Sequence, residues 1–209
     1  NIKIDSQEYQ NLIKSGQILH KILTELTDFI KIDTNLNDIV AKTNQLLKLY
    51  KADSSFLNYK GYSSPICLSL NDTIVHGIAN NYQIKRGDII SLDLGVKYKN
   101  MFTDSALTLN FSNNNQDIKL INITKKALLN VIKIIRPGIK TGLIGEVIEK
   151  TALKNGFKVI KELSGHGTGK NVHEKPTIYN YGNRNEGYIL KVGDCIAIEP
   201  MFALISEKI

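Results

Sequence analysis

Lys85-Arg86-Gly87-Asp88-Ile89-Ile90-Ser91-Leu92-Asp93 and Lys191-Val192-Gly193-Asp194-Cys195-Ile196-Ala197-Ile198-Glu199 state one pattern twice. Each reads as a Gly-Asp turn feeding a β-rich apolar run that ends in a carboxylate. A charge at the end of a buried strand is costly unless a metal or a cation meets it. At matched positions of two related segments, Asp93 and Glu199 predict two halves converging on one charged object.

Outward from these strands, the element order restarts. Asp5 and Glu8 have capping-box spacing, with Asp5 as the N-cap of a helix carrying Leu12, Ile13, Leu19, Ile22, Leu23 and Leu26. Thr34 opens a second helix, and strands are expected over 66–70, 73–78, 89–96 and 101–109. After Ser112-Asn113-Asn114-Asn115, Asp117 precedes a helix stopped by Arg136-Pro137-Gly138, and Thr141 opens another. Strands over 157–160 and 195–202 follow. Thr34 aligns with Thr141 at an offset of 107, and Lys85 with Lys191 at 106. The expected architecture is α+β: one catalytic domain over 1–209 with halves of about 1–112 and 113–209. Each half is a pair of helices on antiparallel strands, sharing a sheet with the site at the pseudo-two-fold.

Composition bounds the class. The hydrophobic share of 42% and charged share of 22% are those of a globular protein, and 209 residues can bury a core without disulfides. No apolar run approaches membrane-spanning length, and two cysteines, Cys67 and Cys195, make no disulfide framework. The expectation is a reduced, cytoplasmic protein. The net charge of +7 comes almost wholly from lysine. It is compatible with an RNA-rich surface, although scattered lysines are more often a solvated exterior.

The chemistry rests on a few side chains. A hairpin centred near Tyr98-Lys99 would pair residues whose numbers sum to 197, placing Asp93 opposite Asp104. Like charges so placed destabilise a sheet, and a pair of metal ions turns that repulsion into ligation. Gly165-His166-Gly167-Thr168-Gly169 lacks the Lys-Ser/Thr and the helix of a phosphate loop. Its glycines instead allow close backbone approach around an imidazole. His76 ends an expected strand, before Gly77; His173 begins His173-Glu174-Lys175-Pro176; His20 has no chemical context. Asp93, Asp104, His166 and Glu199 form a carboxylate/imidazole set suited to Mn, Fe, Co or Zn in a dinuclear hydrolytic site, not to a structural thiolate zinc.

NDTIVHG (71–77), SLDLG (91–95) followed by TDSA (103–106), GHGTGKNVHEKP (165–176) and IEPM (198–201) together resemble the type I, bacterial-type methionine aminopeptidases of peptidase family M24, over essentially the whole chain. The resemblance implies the pita-bread fold and a cytoplasmic enzyme acting on the N-termini of nascent chains. It implies that Asp93 binds one metal ion, Asp104 bridges both, and His166 and Glu199 bind the other. His76 and His173 would hydrogen-bond the substrate amide and the tetrahedral intermediate, with Glu199 shuttling protons. Tyr59, Tyr62, Cys67 and Val172, together with the two histidines, would contact substrate. Phe56 stands where a cysteine is common in the family, and Val172 where an aromatic is common, so the pocket's shape departs from the usual one.

The implied enzyme removes initiator methionine before a small second residue, as a monomer with two divalent ions and no specific DNA or membrane partner. The family also carries a second bridging glutamate on a strand past the IEP motif. Adding the repeat offset to Asp104 likewise places a partner strand at about position 210, so a C-terminal strand is expected to be missing from 1–209. The rival reading is a catalytically impaired pita-bread protein binding ribosomes, RNA or nascent chains. A prolidase-type dipeptidase rests only on the shared metal set.

Overall fold

Ile90, Leu92, Leu94 and Val96 are fully buried, whereas Ile89, Ser91, Asp93 and Lys97 of the alternate set are only half-buried. That period of two is the signature of a strand with one face on a core. The computed structural model describes residues 1–209. Its elements run α1 (Gln7–Phe29), α2 (Leu36–Leu49), β1 (Asp53–Ser54), β2 (Cys67–Leu70), β3 (Ile89–Tyr98), β4 (Met101–Asn110), α3 (Asn115–Ile132), α4 (Thr141–Lys154), β5 (Lys158–Val159), β6 (Ser164–Gly167), β7 (Glu174–Tyr179), β8 (Ile196–Ala197) and β9 (Phe202–Ala203). The strand pairs are antiparallel and form three sheets: β3 with β1, β2 and β4; β5 with β9; and β7-β6-β8. The chain divides into one unit of Ile4–Asn114 with Gly169–Val172, and another of Asn1–Lys3, Asn115–Thr168 and His173–Ile209.

In the first unit, α1 buries Ile18, Leu19, Ile22, Leu23 and Leu26, a stripe at helical spacing. These residues share a core with Ile39 and Leu46 of α2 and with the even-numbered side chains of β3. Each such apolar side chain contributes about 1.5–3 kcal/mol on burial. The odd-numbered positions of β3, Asp93 included, therefore point to the sheet face turned away from that core. In the second unit, Val131 of α3 and Ile144 and Ile148 of α4 pack on Ile178 of β7 and on Leu190.

Several expectations are corrected. The β3–β4 hairpin turns at Lys99 and Asn100, which both have positive φ (46° and 62°), the conformation that matches the strand twist in a two-residue hairpin. Pairs therefore sum to 199: Tyr98 faces Met101, Asp93 faces Ala106 and Asp104 faces Gly95. Asp93 and Asp104 are diagonal neighbours, not direct opposites. A slip of two residues keeps every side chain on its face, so they still share one.

The N-cap of α1 is Ser6, whose Oγ accepts from the Tyr9 N–H at 3.1 Å; Asp5 is one residue too early and has φ 65°. Asn35, not Thr34, caps α2. The helices of the repeat align at an offset of 105, since Leu36, Ile39, Thr43 and Leu47 are buried in α2, as are Thr141, Ile144, Ile148 and Ala152 in α4. The Thr73–Ile78 segment forms no strand. Its chain passes through a left-handed residue at His76 (φ 56°), and Gly77 makes the link to β2 through its carbonyl, which accepts from the Leu68 N–H. The expected 195–202 strand is broken into β8 and β9 around Pro200, which has no N–H to donate.

Candidate metal centre

On the outer face of β3 and β4, Asp93 sits in the ladder between Cys67 of β2 and Ala106 of β4. The pleat puts Cys67, Asp93 and Asp104 on that same face. Cys67 is buried with Phe56 and Val172, and Tyr59, Tyr62 and Phe102 pack against them. Burial, and then the charge of Asp93, push the Cys67 thiol up to about 12, so it stays protonated at neutral pH and serves as an apolar wall. Burial also raises the Tyr62 phenol, whose hydroxyl donates to the Gly77 carbonyl at 2.9 Å. Tyr62 lies 6.4 Å, ring to ring, from His76, an exposed residue of the same connection.

The second unit carries its own candidate ligands. His166 lies on β6, paired with Thr177 of β7 on one side and Ala197 of β8 on the other. The flanking glycines permit that crowding: a Cβ on Gly165 would lie 2.3 Å from the Ala197 carbonyl oxygen, and one on Gly167 2.3 Å from that of Lys175. The His166 and His173 ring centroids are 4.2 Å apart. Glu199 follows β8 by two residues, and its backbone carbonyl accepts from Asn180 Nδ2 at 2.7 Å.

His166 Nδ1 lies 2.8 Å from the Gly167 carbonyl and so carries a proton to donate. Its Nε2 lies 3.1 Å from Glu199 Oε1. That carboxylate oxygen is buried and has no hydrogen-bond partner. Leaving a buried acceptor unmet costs on the order of 1–3 kcal/mol. A cation at these atoms removes that penalty, and the Gly167 carbonyl is the kind of outer partner that orients a metal-binding histidine. His166 and Glu199 each offer such a cation a ligand atom, one imidazole nitrogen and one carboxylate oxygen. They form a possible metal site, and its oxygen-plus-imidazole donors fit Mn, Fe, Co or Zn.

Of the four expected ligands, His166 and Glu199 lie side by side in one unit and Asp93 and Asp104 on one sheet face of the other. Asp93 stands beside Asp104 by ladder register. Two contributors were not legible in the sequence. Asn180 lies in Thr177-Ile178-Tyr179-Asn180, a stretch with no chemical signature, and Phe102 reads as an ordinary strand aromatic.

A model of metallopeptidase family M24 matches residues 10–208. The methionine aminopeptidase of Mycoplasma capricolum is 37% identical over 210 residues, spanning 99% of this chain and 84% of that protein. That of Rickettsia prowazekii is 32% identical, spanning 96% and 78%. The crystal structure of methionine aminopeptidase from Thermotoga maritima superposes with a TM-score of 0.94 at 31% identity, covering 99% of this chain and 84% of that one. The prolidase from Pyrococcus furiosus, at 24% identity and a TM-score of 0.82, shares the fold over 57% of its own chain.

Proposed function

The chain belongs to metallopeptidase family M24 and, within it, to the methionine aminopeptidases with their pita-bread fold, and from that premise we propose that it removes the N-terminal methionine from nascent proteins and peptides whose second residue is small. The observation that carries the site is the buried Glu199 carboxylate oxygen, without a hydrogen-bond partner and 3.1 Å from His166 Nε2. In this reading Asp93 and Asp104 hold one divalent ion, and Asp104, His166 and Glu199 a second. When bound, such ions polarise the scissile carbonyl and lower the pKa of water.

The side chains divide the remaining work. His76 donates to the substrate amide, and His173, its ring tilted against that of His166, meets the oxyanion that develops on the carbonyl. Glu199 passes a proton from the attacking water to the leaving amine. Tyr59, Tyr62, Cys67 and Val172 take the methionine side chain. Their support is the apolar cluster built over the face that carries Asp93, where a neutral thiol adds no charge. The partners are nascent N-termini, with contact to a ribosome surface through the lysine-rich exterior. The enzyme works in the cytoplasm as a monomer. No helix is long and apolar enough to cross a membrane.

The test is release of methionine from Met-Ala-Ser with added Co or Mn, alongside Asp104→Ala and His76→Ala. Metal-dependent release by the wild type, lost in Asp104→Ala and strongly reduced in His76→Ala, is the expected result. No release by the wild type sinks the activity, and release that survives Asp104→Ala sinks the site.

A further inference from the structure

We infer that Asn180 is a positioning residue: its side-chain amide fixes the backbone of Glu199 and thereby aims that carboxylate at His166. The inference rests on the reading of Glu199 as a metal ligand.

Glu199 lies where the strand ladder gives out. β8 ends at Ala197 and β9 begins at Phe202, and the next residue, Pro200, has no N–H. Further along, the Met201 carbonyl accepts from the Ile160 N–H at 3.1 Å. Between these anchors, the Glu199 carbonyl receives Asn180 Nδ2 at 2.7 Å. A carbonyl only accepts, so the orientation of the Asn180 amide is set by this bond and its Oδ1 points elsewhere.

The burial of Asn180 singles it out. It is 1% exposed, and its Oδ1 has no hydrogen-bond partner. A buried amide satisfied on one side only is a poor choice for stability, since an apolar residue of the same shape would avoid the unmet acceptor. What only the amide supplies is the donor to Glu199. Asn180 directly follows β7, the strand that pairs with β6, while β8 lies on the other side of β6. One side chain therefore ties the end of the strand that follows His173 to the segment that carries Glu199, with His166 on the strand between. It stands in for the ladder bond that this sheet lacks at Glu199.

The test is calorimetric titration of the metal-free full chain with cobalt(II) chloride, together with the visible spectrum of the cobalt-loaded protein. Asn180→Leu is expected to bind cobalt about 10-fold more weakly and to shift the ligand-field bands, the usual scale for loss of an outer partner of a ligand. The thermal midpoint of its metal-free form should stay near that of the wild type. Asn180→Ala removes the donor without leucine's bulk and adds no charge, so it gives the same reading if the leucine variant does not fold. Wild-type affinity and spectrum in the folded variant overturn the positioning role. Glu199→Ala separates the two ideas: if it binds cobalt as the wild type does, the ligand reading itself fails, and the inference with it.

Discussion

Tyr82-Gln83-Ile84-Lys85-Arg86-Gly87-Asp88 and Tyr188-Ile189-Leu190-Lys191-Val192-Gly193-Asp194 fold into the same turn, yet they deliver their acids in different ways. In each, the Asp carboxylate accepts from the backbone N–H of the lysine three residues earlier, at 2.8 and 2.7 Å. The Asp N–H returns the bond to the lysine carbonyl at 3.2 Å in both. The glycines have φ of 103° and 87°, a region that other residues enter only under strain. Each lysine ammonium lies over its tyrosine ring, at 5.0 and 5.8 Å. Five residues on, the two turns part company. Asp93 stands inside a ten-residue strand with neighbours on both sides, whereas Glu199 stands past a two-residue strand. The ladder fixes the first acid; a side chain and a proline fix the second.

The largest test of that contrast is on activity. Asp93→Asn and Glu199→Gln should each lower kcat/KM by more than the about 10–100-fold typical of an outer-partner loss. Each should also lower the number of cobalt ions bound at saturation. A variant that keeps the wild-type stoichiometry and rate removes its acid from the ligand set.

Legibility followed local chemistry. The doubled Lys-Xaa-Gly-Asp turn could be read because its backbone and its carboxylate are both written in four residues. The shared face of Asp93 and Asp104 could be read because strand period survives a register error of two. The register itself could not be: Lys99-Asn100 carries no glycine to announce two left-handed residues in succession. Thr73-Ile74-Val75 has strand composition and nothing local marks the left-handed backbone that follows, so the sequence puts His76 on a strand that does not form. Asn180 was invisible for a tertiary reason, since its partner, the carbonyl of Glu199, is 19 positions away and belongs to the backbone.

A smaller effect separates the turns themselves. Asp88 is 6% exposed and also accepts from Asn71 Nδ2 at 3.0 Å and from the Tyr82 hydroxyl at 3.0 Å. Burial works against its charge, but the bonds from Asn71, the Lys85 N–H and Tyr82 outweigh it and hold the carboxyl below its ordinary range. Asp194 is only half-buried. Hydrogen bonds to a charged group contribute about 1.5–3 kcal/mol, and an ordinary one about 1. Asp88→Ala should therefore lower stability by about 2–3 kcal/mol and Asp194→Ala by about 1, read as urea midpoints at constant slope. Tyr188 also meets Asp194, so equal losses would mean that the Asn71 bond and the deeper burial of Asp88 add nothing.

The smallest difference lies on the helices, where the offset of 105 sets Glu146 of α4 against Ala41 of α2. Glu146 meets the Arg184 guanidinium, with Nε and Nη2 at 2.8–3.1 Å, and pairs with Lys150 one turn along. Arg184 first, and Lys150 after it, hold the Glu146 carboxyl down to about 2 from its ordinary 4.5. A carboxyl depressed by folding stabilises above its unfolded value and ceases to do so as pH falls through its folded value. The advantage of the wild type over Glu146→Gln should thus be complete above pH 4.5 and shrink between pH 4.5 and about 2. It should be gone below that, in paired thermal melts across the range. The parallel site on α2 offers the control: Ala41→Gln has no charge to lose, so any difference it makes should not follow pH through this window. A Glu146→Gln difference that persists unchanged at pH 2 would have to come from packing, and the ion pair would no longer distinguish the two helices.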